Sequence, residues 1–230
     1  MTTIYAGPGF IYADKRGTTG DGPYHSTFED GFEKIRRVAK QTTITIAGDK
    51  KARYVAHCGH RSSASKFISL ALELNSFDLA YRVYKSAPPA GVRNFTIIVL
   101  TDGGRTYEIK IDRNLSSQGY DFIVSTNEII KPECFGSGAC VLAPYYNKLV
   151  NAGVTPEEIF LFAAYNDKFS STWHSRVLLT DDTDTDIQAR KPNHDEMVGI
   201  LEKCYASIVL SDFEPKRDYD SILDSSVDTN

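Results

Sequence analysis

Apolar and polar positions alternate in short blocks at the start of the chain and change to a longer period after Ser62. TTIYA and FIYAD, within residues 2–16, are β-branched and aromatic runs joined through Gly7-Pro8-Gly9, which predicts a hairpin. Residues 17–31 carry four glycines and a proline and predict an irregular loop. Strand character resumes over Glu33 to Val38, and TTITIAG (42–48) with ARYVAHCG (52–59) predicts a second hairpin about Asp49-Lys50-Lys51. Beyond Ser62, the residues Ala64, Phe67, Ile68, Ala71, Leu72 and Leu74 fall at helical spacing, predicting one or two helices as far as Tyr84. Pro88-Pro89 stops them. Strands are predicted over 95–101, 105–112 and 120–126, the first two joined by Asp102-Gly103-Gly104. After Gly136-Ser137-Gly138 the pattern predicts a helix from Val141 to Asn151, ended by Gly153. Thr155-Pro156-Glu157-Glu158 then opens another, running to Asn166. A strand over 173–180 and a helix over 194–204 complete the pattern.

Strand blocks alternating with helix pairs imply an α+β domain of stacked antiparallel sheets covered by helices. Residues 1–210 form that domain, and 211–230, with six acids and two bases, read as a solvated or disordered tail. A net charge of −4 argues against nucleic acid or an anionic membrane as partner. No apolar run approaches the roughly 20 residues that span a bilayer, and the first residues lack the pattern of a secretory signal. Together with four unpatterned cysteines this points to a reducing, cytoplasmic setting.

The chemistry-bearing residues follow a recognisable order. The chain opens MTTI, returns through Tyr12-Ala13-Asp14-Lys15-Arg16, and continues with Glu33-Lys34-Ile35. Cys58-Gly59 precedes a small-residue helix start, Phe135-Gly136-Ser137-Gly138-Ala139 forms a turn, and Asp167-Lys168-Phe169-Ser170 closes a helix pair. This succession resembles the proteasome β subunits and the related bacterial two-ring protease, which are N-terminal nucleophile hydrolases. It spans residues 2–170. The resemblance implies a four-layer αββα sandwich assembled as a homo-oligomeric ring. It also implies a polypeptide substrate and, by analogy with the bacterial members, an ATPase unfoldase as partner.

The same resemblance assigns roles. Thr2, freed by removal of Met1, is the implied nucleophile, with its own α-amine as base. Such an amine titrates at about 7.7–8.0, close to working pH, and Met1 would block it by turning it into an amide. Lys34 is implied to favour the alkoxide, Asp14 to hold Lys34, and Gly59 to donate a backbone N–H to the oxyanion. Ser137, Asp167 and Ser170 are implied to surround the α-amine. This chemistry calls for no metal or cofactor.

Taken singly, each of these residues also has an ordinary reading as a strand threonine, surface charge, turn glycine or helix cap. Two other functions keep the same fold: a structural subunit that retains Met1, and an amidase acting on a small molecule. His57-Cys58-Gly59-His60 is a weak metal candidate, because a strand sets its two histidines on opposite faces. The aspartates from Asp181 to Asp186 lack the glycine and closing Glu of a calcium loop.

Overall fold

The computed structural model describes residues 2–19, 27–39, 41–116, 119–179 and 186–213. β1 (Thr3–Gly7) and β2 (Phe10–Asp14) form the predicted hairpin, with Ile4 opposite Ala13. Strand β11 (Glu133–Gly136) pairs with the outer side of β1; β12 (His174–Leu178) pairs with β2, and β13 (Gln188–Arg190) extends the sheet. The second sheet runs β10 (Gly119–Glu128), β9 (Thr106–Ser116), β8 (Phe95–Thr101), β7 (Lys50–Gly59) and β5 (Ile35–Arg37), with the short β6 (Thr45–Ile46) attached to β7. All these pairings are antiparallel.

Strand alternation explains the stacking. Ile4, Ala6, Ile11 and Ala13 face Ile35, Tyr54, Ala56, Ile98 and Leu100 between the two sheets. The intervening residues face outward. Tyr5 and Tyr12 pack beneath one helical layer, while Val55, Ile97 and Val99 pack beneath another. Both faces of both sheets are therefore buried, at about 1.5–3 kcal/mol for each large side chain removed from water. The result is the expected four-layer αββα sandwich.

One helical layer contains α1 (Arg61–Glu73) and α2 (Phe77–Ser86). They are separate helices because Asn75 adopts φ +50° and Ser76 restarts the chain by accepting from the Leu79 amide. The other contains α3 (Ser137–Leu142), α4 (Tyr146–Asn151), α5 (Pro156–Asn166) and α6 (His194–Phe213). The single helix expected from Val141 to Asn151 is divided, because Pro144 breaks the ladder between α3 and α4. Helix α5 begins with the expected capping box between Thr155 and Glu158.

Other elements also differ from expectation. The glycine-rich segment contains a two-stranded ribbon, β3 (Arg16–Thr19) with β4 (Thr27–Asp30), closed by an Arg16–Asp30 ion pair. The turn before β7 falls earlier, at 47–49, where the Asp78 carboxylate accepts from the Ala47 and Gly48 amides. Helix α6 runs nine residues past its expected end, through the proposed start of the tail. The tail from 214 onward and the aspartates over 181–185 lie outside the described residues.

Glu157 fastens α5 to the first sheet, accepting from Arg176 at 2.7 Å and from Arg190, with His174 Nε2 at 3.3 Å. Burial alone would raise this carboxyl; His174, Arg190 and Arg176 outweigh it and bring it down to about 2. No helix among the described residues is long and apolar enough to cross a membrane.

Candidate active site

The hairpin register brings the first two candidates together. With Ile4 opposite Ala13, one further step places Thr3 opposite Asp14 at the open end of the hairpin. There Thr3 N donates to Asp14 Oδ1 at 2.8 Å. Lys34, immediately before β5, donates Nζ to the same oxygen, also at 2.8 Å. Arg16 N donates to Asp14 Oδ2 at 3.0 Å. Asp14 is wholly buried and Lys34 is 6% exposed. Burial pushes the Asp14 carboxyl up and the Lys34 ammonium down, each against the pull of the other. Asp14 therefore orients Lys34, while the dry surroundings make the lysine more acidic than usual.

A second set approaches from the opposite side. Asp167 caps the end of α5 and accepts at Oδ2 from Ser137 Oγ at 2.5 Å and from Ser170 Oγ at 2.6 Å. Each hydroxyl has one proton to give. The short Ser137–Asp167 bond outcompetes the 3.5 Å approach of Ser137 Oγ to the Thr2 carbonyl, leaving the Ser137 lone pairs able to accept. Thr3 Oγ1 lies 2.7 Å from Ser170 Oγ and 3.2 Å from Asp167 Oδ2, so a relay from Thr3 to Ser170 to Asp167 uses the two shorter contacts.

Thr3 is thus common to both sets, through its amide on Asp14 and its hydroxyl on Ser170 and Asp167. In the sequence alone it has the look of an ordinary strand residue. The signal available was its place directly after Thr2, on the strand that had to meet both motifs.

The Gly-Ser-Gly turn is shaped by the same terminus. Ser137 N donates to the Thr2 carbonyl at 2.9 Å. A Cβ at Gly136, which has φ +81°, would fall 1.8 Å from that carbonyl oxygen, and one at Gly138 would fall 2.2 Å from Thr3 Oγ1. Neither position has room for a side chain. Thr2 itself is 7% exposed. Gly59 ends β7 at φ +88°, where a Cβ would strike Asn94 O at 2.6 Å. Its neighbour Cys58 lies against Gly136, beside the Thr2 carbonyl, so Gly59 borders the same terminus.

Of the predicted residues, Thr2, Asp14, Lys34, Ser137, Asp167 and Ser170 are joined by backbone and side-chain hydrogen bonds around the first strand, with Gly59 at its margin. His60 serves the helix instead, its Nδ1 capping α1 by accepting from Ser63 N at 3.3 Å. The four cysteines are free thiols, and burial pushes those of Cys58 and Cys204 up to about 11 and that of Cys134 up to about 12. Among the described residues no group of three or more His, Cys, Asp or Glu is arranged to hold a metal.

An αββα sandwich with a threonine-led strand set between these hydrogen-bonded groups has the proteasome-like N-terminal nucleophile fold. Solved structures of that fold match over nearly the whole chain. Anbu from Hyphomicrobium sp. strain MC1 superposes with a TM-score of 0.55 at 13% identity, covering 93% of this chain and 99% of its own. Its Gly-1 mutant gives 0.54 at 12% identity, covering 94% and 99%. Anbu from Yersinia bercovieri, described as an ancestral β-subunit, gives 0.52 at 10% identity, covering 94% and 98%. No protein-family model matches the chain, and no curated protein matches it in sequence.

Proposed function

We propose that the chain is a threonine peptidase of the proteasome type, with Thr2 as nucleophile once Met1 is removed. The observation that carries this reading is the convergence of Lys34–Asp14 and Ser137–Asp167–Ser170 on Thr2 and Thr3, from segments as far apart as residues 14 and 170. A chain that used this fold only as scaffold would have no need to bury a lysine beside its first strand, where desolvation alone costs several kcal/mol.

In this reading the Thr2 α-amine takes the proton of its own Oγ1, and the oxygen electron pair attacks the peptide carbonyl. The Lys34 ammonium stabilises the developing alkoxide. The carbonyl π pair moves onto oxygen, where the Gly59 N–H donates to it. Collapse breaks the C–N bond, the α-ammonium passes its proton to the leaving amine, and an ester on Thr2 remains. Water then repeats the sequence, with the same amine as base, releasing the acid and restoring Thr2. Ser137, free to accept because Asp167 takes its proton, orients the amine.

A homo-oligomeric ring, a polypeptide substrate and an ATPase unfoldase belong to the same proposal. Intact-mass measurement is expected to show loss of Met1, and Thr2→Ala should abolish peptide hydrolysis while oligomer size stays constant. Hydrolysis persisting in that variant sinks the mechanism. A chain that keeps Met1 and assembles without activity would be the structural subunit. Turnover of small amides but no peptides would identify an amidase.

A further inference from the structure

A cavity of about 180 Å³ opens where β5 parts from β7, at the far end of β7 from Gly59. Val38 N donates to Arg53 O at 2.8 Å, after which the chain leaves the edge of β7. It returns at Ile44, whose carbonyl accepts from Ala52 N. Between those two bonds it bows outward through a turn in which Thr42 N donates to Ala39 O. Across the cavity, β7 carries a bulge. Its pairing with β8 steps from Ala52 opposite Thr101 to Tyr54 opposite Leu100, leaving Arg53 as the extra residue. That is why Ala52 packs beneath the α1–α2 layer while Tyr54, two residues on, packs between the sheets. Arg53 is turned out of the alternation and into the cavity wall.

Arg37 and Lys51 join Arg53 in that wall, together with the hydroxyl-bearing Thr42 and Thr43. Asp102 is the one acid among the described residues that line it, so three cations face a single carboxylate. Asp102 Oδ1 stands 3.9 Å from Arg53 Nη1, beyond hydrogen-bond distance, and Asp186 meets Arg37 Nη1 at 3.1 Å. The Asp102 and Asp186 side chains are 55% and 86% exposed, against 23% and 28% for Arg53 and Arg37. Ion pairs with such exposed acids contribute little. A guanidinium has five N–H donors, so one carboxylate does not exhaust it. An anion inside the cavity would be screened less than either acid, and would also accept from the two threonine hydroxyls. The volume equals the liquid share of about six waters, room for a phosphate with part of its hydration.

We infer that this cavity binds a phosphate-class dianion, held by Arg37, Lys51 and Arg53 with Thr42 and Thr43 as further donors. A dianion matches the excess of three cations over one carboxylate; a ligand with a single carboxylate leaves charge unbalanced. A long polyanion fits poorly, because the chain as a whole carries −4 and two aspartates stand beside the arginines. The ligand is therefore inorganic phosphate or a small phosphorylated molecule. The cavity shares no residue with the groups around Thr2, so its ligand does not depend on the peptidase reading.

The test is isothermal titration of the full chain with inorganic phosphate, pyrophosphate, a phosphoserine peptide and acetate, at fixed ionic strength and a pH where phosphate is largely dianionic. Phosphate is expected to bind saturably and at least about tenfold tighter than acetate, the difference that one charge-assisted hydrogen bond supplies. Lys51→Glu should weaken phosphate at least about tenfold, whereas Lys66→Glu, at an exposed position on α1, should change it less than about twofold. Arg53→Gln should act as Lys51→Glu does; if it fails to fold, the exposed Lys51 still decides the matter. Pyrophosphate binding more tightly than phosphate supports a small phosphorylated ligand. A phosphoserine peptide that binds more tightly than both overturns the small-molecule assignment. No saturable phosphate binding, equal affinity for acetate, or equal affinities in Lys51→Glu and Lys66→Glu overturns the site itself.

Discussion

Lys34 Nζ donates to Asp14 Oδ1 at 2.8 Å, and both groups are almost sealed from water. A buried pair of this kind is weak evidence of stability by itself, because each ion gives up its hydration to enter. Here the carboxylate recovers part of that loss from two backbone amides, those of Thr3 and Arg16. The pair is best understood as a positioning device whose two halves are safe only together.

That coupling is measurable. Lys34→Met or Asp14→Asn alone strands a partner in the interior and is expected to destabilise by about 3–5 kcal/mol in urea unfolding. The double variant should lose less than the sum of the two, by at least about 1 kcal/mol. Strictly additive losses would mean that the two groups do not depend on one another. Neither single variant should retain peptide hydrolysis.

Thr3 gives a sharper test of the relay. Thr3→Val keeps the shape and the amide bond to Asp14 but removes the hydroxyl that meets Ser170 and Asp167. Peptide hydrolysis by the Met1-free protein is expected to drop about tenfold or more in kcat/KM, because small misplacements around a nucleophile are costly. Thr3→Ser should restore most of it. If Val and Ser behave alike, the hydroxyl plays no part.

His57 predicts how the fold responds to acid. Burial, together with Arg36, Lys34 and Arg61, lowers its folded pKa to about 4, below the ordinary 6.5. Above pH 6.5 the ring is neutral in both states and nothing is lost. Between 6.5 and 4 the unfolded chain takes up the proton that the folded one refuses, so stability falls as pH falls, by roughly 3 kcal/mol over the window. His57→Gln should flatten the urea midpoint across that range. An unchanged slope in the variant would rule out His57 as the source.

Much of this was legible in the sequence, for identifiable reasons. Strands with a residue type fixed by their face, such as TIYAG and FIYAD, announce themselves through alternation, and α5 does so through its capping box. Helix ends set by tertiary context did not. Pro144 divides α3 from α4 within a stretch whose apolar spacing runs on unbroken, and α6 continues because its inner face, Met197, Cys204 and Ile208, packs on the helical core. Short strands β11 and β13 carry too few residues to show a period, and only their neighbours make them strands. Asp14 and Lys34, which the structure joins by a hydrogen bond, stood out through their motifs. Thr3 and His57 were harder to read, because their importance comes from hydrogen bonds and register between segments distant in sequence.

Thr3 and Ser170 are 167 positions apart, yet they share a hydrogen bond. During synthesis Thr3, Asp14 and Lys34 emerge early, while Asp167 and Ser170 must wait until the last third of the chain has left the ribosome. Helix α6, later still, covers the aromatic layer on which α5 rests. The cluster around the first strand is therefore among the last features the chain can complete. A nascent chain holds Thr3 and Lys34 before it has Ser170, so this hydrogen-bonded cluster closes only when both ends of the domain are present.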